Sequence, residues 1–241
     1  MEDYLQPLLI GIMAYLYASV GHGGASGYLA LMALFGTSPA LMKSSALILN
    51  VFVSLIAFVQ FYRAGHFRWN LFWPFVITSI PMSFIGATLP ITDSLYKKLL
   101  AVALAIAIAR MLFQPLDKKE TKPVVLWLSL VIGAGIGLLS GMLGIGGGII
   151  LTPVILLLGW GRVKETAAAS ALFIFANSLS GLSGLISKGF RPTTELLPWL
   201  IAALIGGFFG AYQGSFKFNI STLRYILASV LLIAVAKLYF T

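Results

Sequence analysis

Two glycine clusters hold the residue types and spacings in this chain that could do chemistry. One is Gly141-Met142-Leu143-Gly144-Ile145-Gly146-Gly147-Gly148, running on into Ile149-Ile150-Leu151-Thr152-Pro153; the other is Val20-Gly21-His22-Gly23-Gly24-Ala25-Ser26-Gly27. In water, glycine at this density reads as a flexible loop. Here apolar segments flank both clusters, and backbone that unwinds at membrane depth is tolerated only where protein buries it or where it lines a cavity. Short helices starting near Tyr28 and Ile149 would aim free backbone N–H groups and positive dipole ends at the clusters. That arrangement binds an anion without any formal charge on the protein. The candidate substrate-binding residues are therefore His22, Gly23, Gly24, Ala25 and Ser26 in the first cluster and Gly146, Gly147 and Gly148 in the second. The competing reading is close helix packing on small residues. It fits the four-residue ladders Gly133, Gly137, Gly141 and Gly206, Gly210, Gly214, whereas Gly144–Gly148 lacks that spacing. A nucleotide loop is excluded, because no Gly-Lys-Ser/Thr follows the glycines and no strand precedes them.

The third apolar segment of each half adds polar side chains. Ser45 and Asn50 in one, and Ser170 and Asn177 in the other, join the candidate site; Ser44, Ser54, Thr166 and Ser178 accompany them. Asn50 and Ser54 share a helical face, as do Ser170 and Asn177. Burying an unpaired amide costs roughly 1–3 kcal/mol, so each must find a partner. Interhelical hydrogen bonds, worth about 0.6 kcal/mol per pair, are one answer; an oxyanion is the other. Lys43 and Lys164, at the starts of these segments, are read as snorkelling to the interface. His22 sits where the second cluster has Ile145, and its imidazole either carries a proton or binds an anion, or else caps broken-helix backbone. His66 is read as a solvated loop residue. All seven acidic residues lie at segment ends or in loops, which argues against a proton relay of carboxylates or a cation site and suits an anion path. No Ser/His/Asp set or metal-ligand cluster shares a depth, so no catalytic residue, metal or cofactor is expected and the chain is read as no enzyme. With no cysteine there are no disulfides and no thiolate chemistry.

These residues need a scaffold, and the composition names its class. Of 241 residues, 59% are hydrophobic and 10% charged, with a mean hydropathy of +0.98. The fold class is all-α and polytopic in the bilayer; the alternating short segments of an outer-membrane barrel are missing. The net charge of +9 comes from lysines and arginines scattered through short loops, which is membrane topology rather than a nucleic-acid surface. An acidic start, Glu2-Asp3, argues against a cleaved signal peptide.

Along the chain the expected helices are 5–19, a short 28–35, 40–62, 69–89 interrupted by Pro74 and Pro81, and 95–113. After a polar joint the order recurs as 124–140, a short 149–158, 164–187, 195–214 and 223–240. Gly24 and Gly148, Gly65 and Gly189, Pro74 and Pro198, and Gly86 and Gly210 are each 124 residues apart. In the last helix of each half, Lys97 and Arg224, and Arg110 and Lys237, are 127 apart, which a three-residue insertion explains. The division is a first transmembrane repeat at 1–113, a cytoplasmic linker at 114–122 and a second repeat at 123–241. If each glycine-broken segment returns to its starting side, the repeats are inverted and the basic residues divide ten to six. The ten are Arg63, Arg68, Arg110, Lys118, Lys119, Lys122, Arg162, Lys164, Lys217 and Arg224. That bias places the linker in the cytoplasm.

Two halves with a Gly-x-Gly-Gly-Gly…Pro break followed by a Lys/Ala/Ser-Ala-Leu segment resemble the TauE/SafE sulfite exporter family, also called the TSUP transporters. The resemblance covers nearly the whole chain and is strongest at Gly141–Pro153, Ala167–Gly184 and Gly65–Gly86. The first cluster departs from the pattern, with His22, with Ala25-Ser26 in place of glycines, and with no proline before Pro39. What the resemblance implies is a multi-pass inner-membrane secondary transporter for a small sulfur oxyanion or sulfonate, sulfite export being the family's name-giving activity. The partners are then that anion and the lipid bilayer, with no nucleic acid. A coupling ion, proton or sodium, and a homodimeric assembly are left open. The rival readings are a passive anion channel and an accessory membrane protein that transports nothing.

Overall fold

The computed structural model describes residues 2–112, 121–192 and 196–216. The linker at 114–120, Glu195, the closing helix expected at 223–240 and the landmarks Arg224 and Lys237 lie outside the described residues.

The described chain is helical: α1 (Glu2–Ala18), α2 (Ala25–Leu34), α3 (Pro39–Arg63), a 3-10 turn at Trp69–Leu71, α4 (Trp73–Thr88), α5 (Asp93–Leu112), α6 (Leu126–Leu143), α7 (Gly148–Leu158), α8 (Val163–Ser187) and α9 (Leu197–Phe216). Among the described residues five segments are long and apolar enough to cross a membrane, and the protein is a multi-pass membrane protein. Local chemistry sets the ends. Pro39 opens α3, where its missing N–H costs nothing, and Ser38 before it is extended. At the start of α8 the Glu165 carboxylate accepts the backbone N–H of Arg162 at 3.0 Å, half of a capping box. Pro74 falls in the first turn of α4, and that helix continues through Pro81 instead of breaking there. The 69–89 segment therefore resolves into the 3-10 turn and a single helix.

The unwound stretches are shorter than the glycine content suggests. Only residues 19–24 and 144–147 leave the helix, and α2 and α7 begin inside the clusters. Gly24 and Gly147, at the N-caps of α2 and α7, hold φ of 98° and 78°, a region that glycine enters without penalty. Gly27, by contrast, is helical and packs under the Tyr17 ring.

Helix bounds recur at the offset read from the landmarks. α3 and α8 are both 25 residues long with each end 124 apart, and α1 and α6, and α4 and α9, begin 124 apart. Under that offset the counterpart of His22 is Gly146, not Ile145. α3 packs along α8 at the centre, flanked by the pairs α1·α9 and α4·α6. Both flanking pairs run parallel and close. A Cβ on Gly133, Gly137 or Gly141 would strike the carbonyl oxygens of Phe75, Ser79 and Ser83, and one on Gly206, Gly210 or Gly214 those of Gly11, Tyr15 and Ser19. Both ladders are packing surfaces, as their spacing predicts.

Candidate functional site

The two glycine breaks meet where α3 crosses α8, and Asn50 stands between them. A Cβ on Gly23 would lie 2.6 Å from Asn50 Oδ1, and one on Gly146 would lie 2.8 Å from Asn50 Nδ2. Both stretches approach the amide as closely as they do only because they lack side chains. Asn50 is fully buried, and neither of its amide atoms has a hydrogen-bond partner. Ser178 Oγ, from α8, is 3.0 Å from the same Gly146 position and is also unpaired. Ile174, the counterpart of Asn50 at the 124 offset, packs on Gly23, Gly146 and Gly148 and supplies the apolar wall. Buried amide and hydroxyl groups without partners cost roughly 1–3 kcal/mol each, and their convergence beside two helix N-termini makes this the candidate binding point.

A second polar chain ties the breaks together. His22 Nδ1 lies 2.9 Å from the Val20 carbonyl, and its Nε2 lies 3.1 Å from Thr152 Oγ1 on α7. Thr152 Oγ1 is in turn 2.8 Å from Ser170 Oγ on α8 and 3.0 Å from the Gly148 carbonyl. A carbonyl only accepts, so Nδ1 carries a proton and Nε2 of the neutral ring accepts from Thr152. If the ring takes a second proton, Nε2 donates to Thr152, whose hydroxyl turns to Gly148. Both protonation states find a full set of partners.

The remaining candidates fall in different places. Ser26 Oγ donates to Tyr17 Oη at 2.8 Å, and Ala25 is buried in the first turn of α2. Gly24 lies under the Tyr28 ring, and Gly147 packs on Ile136 and Phe173. Ser45 is buried with its hydroxyl unpaired. Asn177 Nδ2 donates to Phe173 of its own helix at 2.9 Å, and its backbone carbonyl accepts Ser83 Oγ from α4. Asn177 Oδ1 is also buried without a partner; the amide set directly between the breaks is Asn50, with Ser178 of α8 beside it.

Both lysines are held at helix ends. Lys43 is buried and donates from Nζ to the Ala87 carbonyl at 3.0 Å, in the last turn of α4. Lys164 donates to the Ser215 carbonyl at 3.2 Å, in the last turn of α9. Each satisfies a carbonyl left open by a helix C-terminus and sits at its negative dipole end. His66 is half-buried rather than solvated. Its pKa is held below the ordinary value, first by burial and then by the Lys164 charge, against a hydrogen bond to the Ser215 backbone and the nearby Glu165. Tyr96, which no sequence signal singles out, donates to the Leu143 carbonyl at 3.0 Å, closing the C-terminal end of α6 at the second break. Thr152 was equally hidden, although its place four residues after Gly148 puts both on one helical face. Among the described residues no group of His, Asp and Glu could hold a metal ion.

Two comparisons with known proteins bear on this geometry. Residues 8–238 match the model of the family described as "Sulfite exporter TauE/SafE". Over 235 residues, 94% of either chain, the sequence is 38% identical to a Sinorhizobium fredii (strain NBRC 101917 / NGR234) protein described as "Probable membrane transporter protein y4hK". A membrane transporter is what paired helix breaks around a buried amide would serve, and by the extent of the match this chain is a member of the TauE/SafE sulfite exporter family.

Proposed function

We propose that the protein is a secondary transporter of small sulfur oxyanions, with sulfite exported across the inner membrane as its first activity. One observation carries the reading: a fully buried Asn50 amide without partners, held between the N-terminal ends of α2 and α7. Nδ2 of Asn50, the Ser178 hydroxyl and backbone N–H groups of the breaks would replace water around the anion's oxygens. Ile174 would meet its less hydrated side. The helix bounds at a constant offset, with α3 and α8 antiparallel, support two inverted repeats that rock about this point. Within the site His22 offers a protonatable group for coupling.

Flux of sulfite into proteoliposomes tests the reading. It should saturate with sulfite, and Asn50→Ala should lower it about tenfold or more, the loss of a charge-assisted hydrogen bond. Ser178→Ala should lower it less, and Asn177→Ala least. The variants must keep the wild-type unfolding midpoint for the comparison to count. Unchanged flux in Asn50→Ala would remove the site; flux that never saturates would turn the reading to a channel.

A further inference from the structure

A cavity with a buried lysine lies outside the paired breaks. It encloses about 490 Å³ and opens where the start of α3, the end of α4, the start of α5 and the end of α8 come together. Lys43 and the Ala87 carbonyl it donates to both line it, with Ser44, Tyr96, Asp93 and Lys188. Lys43 is 9% exposed, and among the described residues the ion pair is Arg68–Glu165 at the other end of the molecule, so this buried ammonium has no carboxylate within 4 Å, Asp93 of the same cavity included. One of its three N–H groups serves Ala87, leaving two for another acceptor. Asp93 and Lys188 are exposed and stand at the rim. The inner wall touches the second break, because Tyr96 Oη holds the Leu143 carbonyl and a Cβ on Gly144 would come within 2.8 Å of the Lys43 carbonyl oxygen.

We propose that this cavity is a vestibule at one mouth of the path, in which Lys43 binds the substrate oxyanion on its way between the breaks and the water. The proposal deepens the transport reading and rests on it for the identity of the anion. A buried cation without a paired carboxylate is costly, and an oxyanion within the cavity completes it. Lys188 at the mouth adds to the positive field that draws the anion in, and Asp93 opposes it.

The test separates charge from fold. Lys43→Gln keeps an N–H donor for Ala87 and removes the charge. It should fold with an unchanged unfolding midpoint and raise the KM for sulfite about tenfold while changing kcat little. The chain has no cysteine, so Lys43→Cys carries a single thiol. Alkylation with 2-bromoethylamine rebuilds an ammonium through a thioether that sulfite does not cleave, and should restore the KM. Iodoacetamide, which leaves a neutral adduct, should not. In detergent, stabilisation by sulfite should persist in Asn50→Ala, whose flux is lowered, and weaken in Lys43→Gln. An unaltered KM and unaltered stabilisation in Lys43→Gln, or equal rescue by both alkylating agents, overturns the vestibule. If the wild type neither moves nor binds sulfite, the substrate reading fails instead. The vestibule is then judged by stabilisation with sulfate, phosphate and chloride: a response that Lys43→Gln abolishes supports it, and no response to any of them overturns it.

Discussion

Thr152 has one hydroxyl proton and three neighbours that could take or give one. Its place between His22, Ser170 and the Gly148 carbonyl makes it the joint between the first break, α7 and α8. Thr152→Val keeps the shape and removes the hydroxyl. His22 Nε2 and Ser170 Oγ then each lose a buried partner, at about 1–3 kcal/mol per group. The midpoint of thermal unfolding should fall by several degrees more than for Thr152→Ser, which keeps the hydroxyl. Equal midpoints for the two variants would mean that the chain of hydrogen bonds is not formed. At this scale the sequence was only partly legible. Asn50 was visible because an amide in an apolar segment demands a partner. The His22–Thr152 contact was not, since 130 residues separate them and only the tertiary fold brings them together. The partner of Lys43 was hidden for a similar reason: the carbonyl it satisfies lies 44 residues on.

At the scale of helices, the small-residue ladders decide how closely the flanking pairs approach, and they are not placed alike. In the pair α4·α6 the ladder Gly133, Gly137, Gly141 sits on α6. In the pair α1·α9 the ladder sits on α9, whose counterpart at the 124 offset is α4. Each close contact is therefore built from the opposite member of equivalent pairs. Gly137 and Gly135 on α6 make a controlled comparison. A Cβ at Gly137 would strike the Ser79 backbone, whereas one at Gly135 has nothing within 4 Å. Gly137→Ala should cost about 1–3 kcal/mol as overpacking against backbone that cannot yield, and Gly135→Ala should be neutral or stabilising by up to about 1 kcal/mol from helix propensity. Unfolding midpoints in detergent check both, and similar shifts for the two would refute the packing. Helices and ladders were legible here because apolar length and four-residue spacing are local signals. The breaks were less so: glycine count suggested long unwound runs, yet only the residues that must leave the helix do so. Gly27 stays helical and is glycine because the Tyr17 ring fills the space a side chain would need.

Across the whole molecule, direction follows from contacts at the two ends of the central pair. Arg68, just past the end of α3, pairs with Glu165 in the first turn of α8 at 3.3 Å, while the start of α3 and the end of α8 share the Lys43 cavity. α3 and α8 are thus antiparallel, although their bounds match at a constant offset. The backbone N–H of Lys122 donates to the Gly159 carbonyl at 2.7 Å, so the segment through α6 and α7 leaves one end and returns to it. Arg63, Arg68, Lys122, Arg162 and Lys164 lie at that end, and Lys43, Lys97, Lys98, Lys188 and Arg191 toward the other. The sequence carried this only as a small margin in charge, since hydropathy cannot count how often a broken segment crosses. Arg63 and Ser187, the exposed last residues of α3 and α8 at equivalent positions, turn the geometry into a test. In the cysteine-free chain, Arg63→Cys and Ser187→Cys each present one thiol. With a membrane-impermeant maleimide added to intact spheroplasts, Ser187→Cys should label directly and Arg63→Cys only after the membrane is opened, because positively charged ends stay in the cytoplasm. Labelling of both from the same side would require parallel repeats, which the antiparallel course of α3 and α8 does not allow, and would overturn the inverted arrangement.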